Sequence, residues 1–172
     1  MTEAKNTVKF QGNPLTLIGR QPVVGEPAPD FEVLANDMSA VKLSEFRGKV
    51  AVICSVPSLD TSVCDTEVRK FNEQATSLGD DVVVLVVSMD LPFAQKRWCG
   101  AAGVKNVQTL SDHRQAQFGN TYGILIKELR LLGRAVFVVD KKGVIHYIEV
   151  VDELTNEPDY EAALKAAKEA RK

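Results

Sequence analysis

Two almost continuous apolar segments stand out in the pattern of hydrophobic and polar positions along the first half of the chain. They cover residues 50–56 and 82–87, and neither shows the alternation expected of a strand with one face in water. Segments of this kind are typical of strands buried on both faces. Between them, apolar positions at helical spacing begin at Cys64 and end near Gly79. The order strand, helix, strand predicts a βαβ unit with two central, parallel strands.

A second helix is predicted after Pro92, a residue that suits the first helical turn. It covers residues 93–102 and carries Cys99 in its last turn. Gly100 and Gly103 lie at the same end of the segment, so we expect this helix end to be weakly held.

Two further strands are predicted at residues 135–139 and 144–150, joined by a short polar link that ends in Gly143. A link of this length indicates an antiparallel pair. An amphipathic helix over residues 159–171 follows. The predicted order is therefore βαβα, then an irregular stretch, then ββα. This is the connectivity of a thioredoxin-like fold. We therefore predict an α/β protein in which helices flank a central mixed sheet.

The amino-terminal part adds an element to this scheme. Residues 8–10 and 16–18 surround a Gly-Asn-Pro turn and predict an extra β-hairpin, which a Pro-rich extension follows up to residue 29. The chain has 172 residues, of which 45% are hydrophobic, and it shows neither a repeat nor a linker. These properties suit a single domain over residues 1–172.

Charge and cysteine content narrow the possible partners and location. Lys and Arg total 21 against 23 Asp and Glu, the net charge is -2, and the basic residues are dispersed, so no nucleic acid partner is expected. No segment approaches the ~20 apolar residues that span a bilayer and no targeting pattern is present, so a soluble protein without a membrane partner is expected. The three cysteines cannot all be paired within the chain. This favours a reducing compartment, the bacterial cytoplasm.

Cys64 lies where a strand-to-helix loop passes into the first helical turn. If Asp60 or Thr61 caps the helix, the unpaired first-turn amides and the positive end of the helix dipole favour the thiolate, which is the nucleophilic form. The negative charges of Asp60 and Asp65 disfavour the thiolate, so a cation from elsewhere in the fold is needed to offset them. Cys64 also continues the apolar stripe of its helix. Its position alone is therefore equally consistent with a reactive cysteine and with an ordinary core residue.

Four segments of the chain resemble one known family. PSLDTSVC contains the peroxiredoxin signature of Pro, three residues, Thr, two residues and Cys, and it is similar to the bacterial thiol peroxidase branch, the atypical two-cysteine peroxiredoxins. FAQKRWCGAAG, SDHRQAQFGNTYG and LLGRAVFVVD follow in the order of that family. The resemblance covers nearly the whole chain, including the amino-terminal hairpin.

The resemblance implies a role for four residues. Cys64 would be the peroxidatic cysteine, which breaks the O–O bond of a hydroperoxide and becomes a sulfenic acid. Thr61, one helical turn earlier, would direct its hydroxyl toward the thiolate and the peroxide, and it can cap the helix as well. Arg134 would supply the missing cation. The alternative is that Arg134 is a solvent-exposed arginine at a strand end. Pro57 would hold the loop rigid and limit water at the sulfur.

The resemblance also implies a turnover cycle. Cys99 would be the resolving cysteine and form an intrachain disulfide with Cys64, aided by its weakly held helix end. Cys54, within a buried strand, is expected to serve in packing. The expected substrates are hydrogen peroxide and organic hydroperoxides, the expected reductant is thioredoxin, and the expected assembly is a homodimer. No cofactor is expected, because the sequence holds no flavin or nicotinamide fingerprint.

Two other functions remain open. Trp98-Cys99-Gly100 is similar to the start of the Cys-X-X-Cys site of a thioredoxin-like disulfide oxidoreductase, but Ala102 occupies the place of the second cysteine and the segment closes a helix. A non-enzymatic peroxide sensor would use Cys64 and Cys99 to change an interface. A metal site is not expected, because His113 and His146 are isolated from other ligand types.

Overall fold

A mixed β-sheet with helices packed against it forms the centre of the molecule. The computed structural model describes residues 6–75 and 77–172. The strands are β1 (Thr7–Phe10), β2 (Asn13–Ile18), β3 (Glu32–Leu34), β4 (Ala40–Lys42), β5 (Val50–Ser55), β6 (Val82–Ser88), β7 (Gln108–Ser111), β8 (Leu125–Ile126), β9 (Leu131–Leu132), β10 (Ala135–Val139) and β11 (Ile145–Val150). The helices are α1 (Ser62–Ala75), α2 (Pro92–Ala102), α3 (Gln117–Thr121) and α4 (Tyr160–Ala170), and a 3-10 turn covers Leu43–Phe46.

The central sheet has the strand order β11-β10-β5-β6-β7-β3-β4. Its β5–β6 and β6–β7 pairs are parallel, and its other neighbouring pairs are antiparallel. Every residue of β5 is buried, which accounts for its continuous apolar sequence. The predicted parallel strands, the predicted antiparallel pair and the mixed sheet are therefore confirmed.

The face of the sheet that α1 and α4 cover holds one of two apolar cores. Val52 and Cys54 of β5 belong to this core, together with Cys64, Val68 and Phe71 of α1. Cys54 is fully buried, and burial raises the pKa of its thiol well above the usual value. The buried position predicted for Cys54 is confirmed, and the position of Cys64 at the edge of the same core follows from the apolar stripe of α1.

The predicted amino-terminal hairpin is formed by β1 and β2. It is part of a second sheet with the order β1-β2-β8-β9, and the Lys9 amide donates to the Asp152 carbonyl at 2.7 Å. Of the predicted extension over residues 1–29, residues 1–5 lie outside the described part of the chain. The stretch predicted to be irregular contains β7, α3, β8 and β9. These elements have only 2 to 5 residues each, too few for a recognisable periodicity.

Helix α1 ends at Ala75, earlier than the predicted end near Gly79. The Leu78 amide donates to the Ala75 carbonyl at 3.1 Å in a turn, and Gly79 then adopts a φ of 100°, which favours glycine. Leu78 is nevertheless buried in the core beneath α1, which is why it continued the apolar pattern.

The predicted closing helix corresponds to α4. Asp159 caps it, because its side chain accepts a hydrogen bond from the Ala162 amide at 3.0 Å. Across residues 6–75 and 77–172, the helices are all too short or too polar to cross a membrane.

Candidate active site

Asp90, just beyond the end of β6, fixes the loop between β5 and α1. Its carboxylate accepts hydrogen bonds from the Ser58 hydroxyl at 2.7 Å and from the Leu59 amide at 2.8 Å. The Ser88 hydroxyl donates to the same carboxylate at 2.7 Å. Pro57, at the start of this loop, is buried. Nothing in the sequence pattern singled out Asp90, because its role depends on the meeting of two parallel strand ends.

Thr61 caps α1. Its Oγ1 accepts a hydrogen bond from the Cys64 amide at 3.3 Å, and its carbonyl accepts one from the Asp65 amide at 2.9 Å. Of the two residues considered for the cap, Thr61 fills the role. Its hydroxyl donates to the Ser58 carbonyl at 3.1 Å, so contact between this proton and the Cys64 sulfur requires the hydroxyl to rotate.

Arg134 is buried beside Cys64, with 1% of its surface exposed. Its guanidinium donates to the Leu154 carbonyl through Nε at 3.0 Å and through Nη2 at 2.8 Å, and it lies close enough to Cys64 for the two side chains to interact electrostatically. Burial lowers the pKa of Arg134, but the interactions of the guanidinium with Cys64 and Glu67 outweigh burial and leave this pKa raised. The alternative of an exposed arginine at a strand end is therefore wrong, because β10 starts in the core.

Glu67 is a second buried ionisable group of the site. Its Oε2 lies 2.6 Å from Arg134 Nη1, and both side chains are almost completely shielded from solvent. Burial raises the pKa of Glu67 to about 7, although the Arg134 charge opposes this shift. Glu67 was not predicted as a site residue. The sequence feature that could have indicated it is a carboxylate three residues after Cys64, between apolar positions of the α1 stripe.

Asp65 contributes to the contacts between α1 and α2. It accepts a hydrogen bond from Arg69 Nε at 2.8 Å and one from the Trp98 indole at 2.9 Å. Arg69 also donates to the Ala102 carbonyl at 3.3 Å. The charge of Asp65 is thus engaged by α2 and Arg69, which reduces its influence on Cys64.

Cys99 lies in the last turn of α2 and is half-buried. Its Sγ is 3.3 Å from the Thr109 hydroxyl of β7, and it borders a groove that Asn36, Thr109 and Lys105 also line. Cys54, Cys64 and Cys99 are all free thiols. The structure is therefore that of the dithiol state, and Cys99 contacts β7 in this state.

Metal-ligating side chains are not grouped in the described part of the chain. Residues 6–75 and 77–172 contain no cluster of three or more His, Cys, Asp and Glu side chains that could hold an ion. His146 lies near Glu169 alone, with 3.8 Å between Nε2 and Oε2. The residues around Cys64 supply a thiol, a guanidinium and hydrogen-bond donors, which suit attack by a sulfur nucleophile.

The sequence matches the family model described as Redoxin over residues 23–164. A thiol peroxidase of Halalkalibacterium halodurans is 57% identical over 164 residues, which cover 95% of this chain and 98% of the relative. A thiol peroxidase of Oceanobacillus iheyensis is 57% identical over 159 residues, which cover 92% of this chain and 96% of the relative.

The fold has a close counterpart among solved structures. A peroxiredoxin-like protein from Aquifex aeolicus superposes with a TM-score of 0.92 at 42% identity, and the match covers 98% of this chain and 99% of the other. The predicted thioredoxin-like fold and the resemblance to bacterial thiol peroxidases are confirmed by these similarities. The chain therefore belongs to the Redoxin family and is a thiol-dependent peroxidase.

Proposed function

We propose that Cys64 is the peroxidatic residue of this enzyme. Its thiolate attacks one oxygen of the peroxide, an S–O bond forms as the O–O bond breaks, and the leaving hydroxide or alkoxide takes up a proton. Cys64 becomes a sulfenic acid, and the peroxide is reduced to water or to an alcohol and water over the full cycle. The burial of the Arg134 guanidinium beside Cys64 carries this proposal, because a buried cation stabilises the negative charge that the sulfur nucleophile brings to the reaction.

Thr61 and Pro57 are proposed to serve the same step. The Thr61 hydroxyl lies at the cap of α1, three residues before Cys64, and its rotation from the Ser58 carbonyl directs it to the sulfur or to a peroxide oxygen. Pro57 is buried and has no amide proton, so it shields the sulfur without adding a donor. Glu67 positions Arg134 through their ion pair.

Cys99 is proposed to resolve the sulfenic acid. Its thiol attacks the Cys64 sulfur, the S–O bond breaks, water leaves, and an intrachain disulfide joins the two residues. The step requires Cys99 to leave Thr109, with which it interacts in the dithiol state. Helix α2 ends at Ala102 and is followed by Gly103 in a left-handed conformation, and a turn at a helix end opens at low cost.

Substrate and reductant follow from the chemistry of this cycle. A thiol peroxidase requires a peroxide and a thiol reductant, and we propose hydrogen peroxide and organic hydroperoxides as substrates. We propose thioredoxin as the reductant, supported by the family resemblance and by the exchange of a disulfide with a dithiol that completes the cycle. We propose a location in the bacterial cytoplasm, supported by the odd number of cysteines in the chain, three, which suits a reducing compartment.

We also propose that residues 1–172 act as one domain and that two chains form a homodimer. The single domain is supported by the pairing of β2 with β8, which attaches the amino-terminal hairpin. The homodimer is supported by the resemblance and by Leu91 and Phe93, which are 51% and 67% exposed beside the Asp90 loop. Sedimentation of wild type and of Phe93→Glu tests the proposed homodimer, and a monomeric wild type would contradict it.

The proposed cycle is tested by peroxide consumption in the presence of a thioredoxin system. We expect Cys64→Ser to be inactive, Cys99→Ser to reduce one equivalent without thioredoxin-dependent turnover, and Cys54→Ser to remain near wild type. Mass spectrometry after one equivalent of peroxide should show a Cys64–Cys99 disulfide within one chain. An interchain bridge, or a bridge to Cys54, would refute the assignment of Cys99.

The same assay separates the enzyme from a peroxide sensor. Sustained consumption of peroxide with a reductant supports the peroxidase, whereas a single stoichiometric oxidation would favour the sensor. A thioredoxin-like disulfide oxidoreductase needs a second thiol beside Cys99, and Ala102 stands at that position.

A further inference from the structure

We propose that Thr109 and Asn36 are positioning residues for the resolving step. They hold the Cys99 thiol against β7, and Cys99 must leave them to reach Cys64. The proposal rests on the proposed role of Cys99 as the resolving cysteine, and it concerns how that residue is restrained and released.

Two hydrogen bonds connect Cys99 to Thr109 and Thr109 to Asn36. The Thr109 hydroxyl donates its single proton to Asn36 Oδ1 at 3.0 Å. The Cys99 sulfur lies 3.3 Å from the same hydroxyl oxygen, which has only acceptor capacity left. With the Thr109 proton directed to Asn36, Cys99 is the donor of the second hydrogen bond. A thiolate has no proton to donate, so this chain of hydrogen bonds accommodates the thiol.

Thr109 belongs to a central strand of the sheet, whereas Cys99 lies at a helix end. Thr109 is 3% exposed in β7 and pairs with Val86 of β6. Asn36 lies in the turn between β3 and β4. Cys99, by contrast, is half-buried in the final turn of α2 and borders the groove lined by Asn36, Lys105 and Thr109. Opening of that turn would break the hydrogen bond between Cys99 and Thr109. The hydrogen bond between Thr109 and Asn36 would stay in place.

Release of Cys99 must precede formation of the disulfide. The resolving reaction converts the Cys99 thiol and the Cys64 sulfenic acid into a disulfide and one molecule of water, so the Cys99 proton leaves with the hydroxyl of Cys64. A sulfur held at Thr109 has to move away from β7 before it can attack Cys64. Loss of this hydrogen bond should therefore raise the rate of release roughly two- to fivefold, the effect of one weak hydrogen bond.

Alkylation of Cys99 tests the restraint independently of the peroxidase cycle. The probe is iodoacetamide, added to the folded Cys64→Ser protein, with Cys99 and Cys54 followed separately by mass spectrometry. Thr109→Val keeps the side-chain shape and removes the acceptor, so we expect roughly two- to fivefold faster alkylation of Cys99. Thr109→Ser restores the acceptor and should return the rate to that of the parent.

Two controls separate release of Cys99 from general loosening. Cys54 lies in the core and must remain unmodified in every variant, because its alkylation would report unfolding. Ser39→Ala removes the hydroxyl that donates to Asp37 at 2.6 Å, in the same groove but not in contact with Cys99, and should leave the rate unchanged. An unchanged or slower rate in Thr109→Val, or failure of Thr109→Ser to restore the rate, overturns the proposal.

Disulfide formation in the protein with all three cysteines provides the second readout. After one equivalent of peroxide, acid quenching and mass spectrometry should show the Cys64–Cys99 bridge forming faster in Thr109→Val than in wild type. If wild type forms no such bridge, the assignment of Cys99 fails while the alkylation result stands. If wild type forms it and Thr109→Val forms it no faster, the restraint is overturned and the assignment of Cys99 stands.

Discussion

The Arg134 guanidinium and the Glu67 carboxylate form a buried ion pair, with 2.6 Å between Nη1 and Oε2. The pair connects the start of β10 to the first turns of α1, beside Cys64. Arg134 also donates twice to the Leu154 carbonyl, so its orientation is determined from two sides. A guanidinium held in this way needs little reorganisation when a thiolate forms and attacks a peroxide.

Replacement of Arg134 by lysine should impair the reaction although it keeps the positive charge. An ammonium cannot reproduce the planar donor arrangement that reaches Leu154, Glu67 and Cys64 together. We expect kcat/KM for peroxide to fall roughly 10²-fold, the usual effect of removing a preorganised donor. Arg20→Gln, which removes an exposed arginine, is the control and should stay near wild type. Equal loss in both variants would contradict a specific role for Arg134.

The raised pKa of Glu67 predicts a pH-dependent stability. Because this pKa is about 7 in the folded protein against an ordinary 4.5, the folded state binds the proton more tightly than the unfolded state. The resulting stabilisation is present below about pH 4.5 and is lost as the pH rises through 7. Glu67→Gln mimics the protonated form. We therefore expect the free energy of unfolding of wild type to fall relative to that of Glu67→Gln from pH 5 to pH 8, by up to about 3 kcal/mol.

Urea unfolding of both proteins across this range measures the difference. Asp112 is also buried, and burial raises its pKa to about 6, but it is present in both proteins and cancels in the comparison. A difference that changes in the opposite direction would mean that the Arg134 charge outweighs burial and favours the Glu67 carboxylate.

The sequence was sufficient to predict elements with strong periodicity and residues whose roles depend on local position. The cap of α1, the burial of Cys54 and the need for a cation beside Cys64 followed from spacing and charge. Glu67, Asp90 and the partners of Cys99 did not, because each acts through contacts between segments distant in the chain. A carboxylate on an apolar stripe indicates a buried partner, but only the packing of β10 against α1 identifies it as Arg134.

Asp90→Asn should loosen the loop that leads to Cys64. The carboxylate accepts hydrogen bonds from Ser58, Leu59 and Ser88, and an amide supplies fewer acceptor positions and adds two donors. Hydrogen bonds to a charged group contribute about 1.5–3 kcal/mol, so we expect a loss of stability of this order. We also expect faster hydrogen exchange at the Leu59 amide. Asp37→Asn changes an exposed carboxylate that accepts from Ser39 and is the matched control. Unchanged exchange at Leu59 in Asp90→Asn would contradict the anchoring role.

Trp98 should report the movement of Cys99 during turnover. It is the single tryptophan of the chain, it precedes Cys99 in α2, and its indole donates to Asp65 at 2.9 Å. If the last turn of α2 opens to let Cys99 reach Cys64, this hydrogen bond breaks and the indole enters water. We therefore expect a red-shifted emission after one equivalent of peroxide, reversed by a dithiol. Cys99→Ser forms the sulfenic acid but no intrachain disulfide, so its emission should stay at the position of the reduced protein. An equal shift in Cys99→Ser would show that oxidation of Cys64 alone opens α2, and the movement would then precede disulfide formation instead of accompanying it.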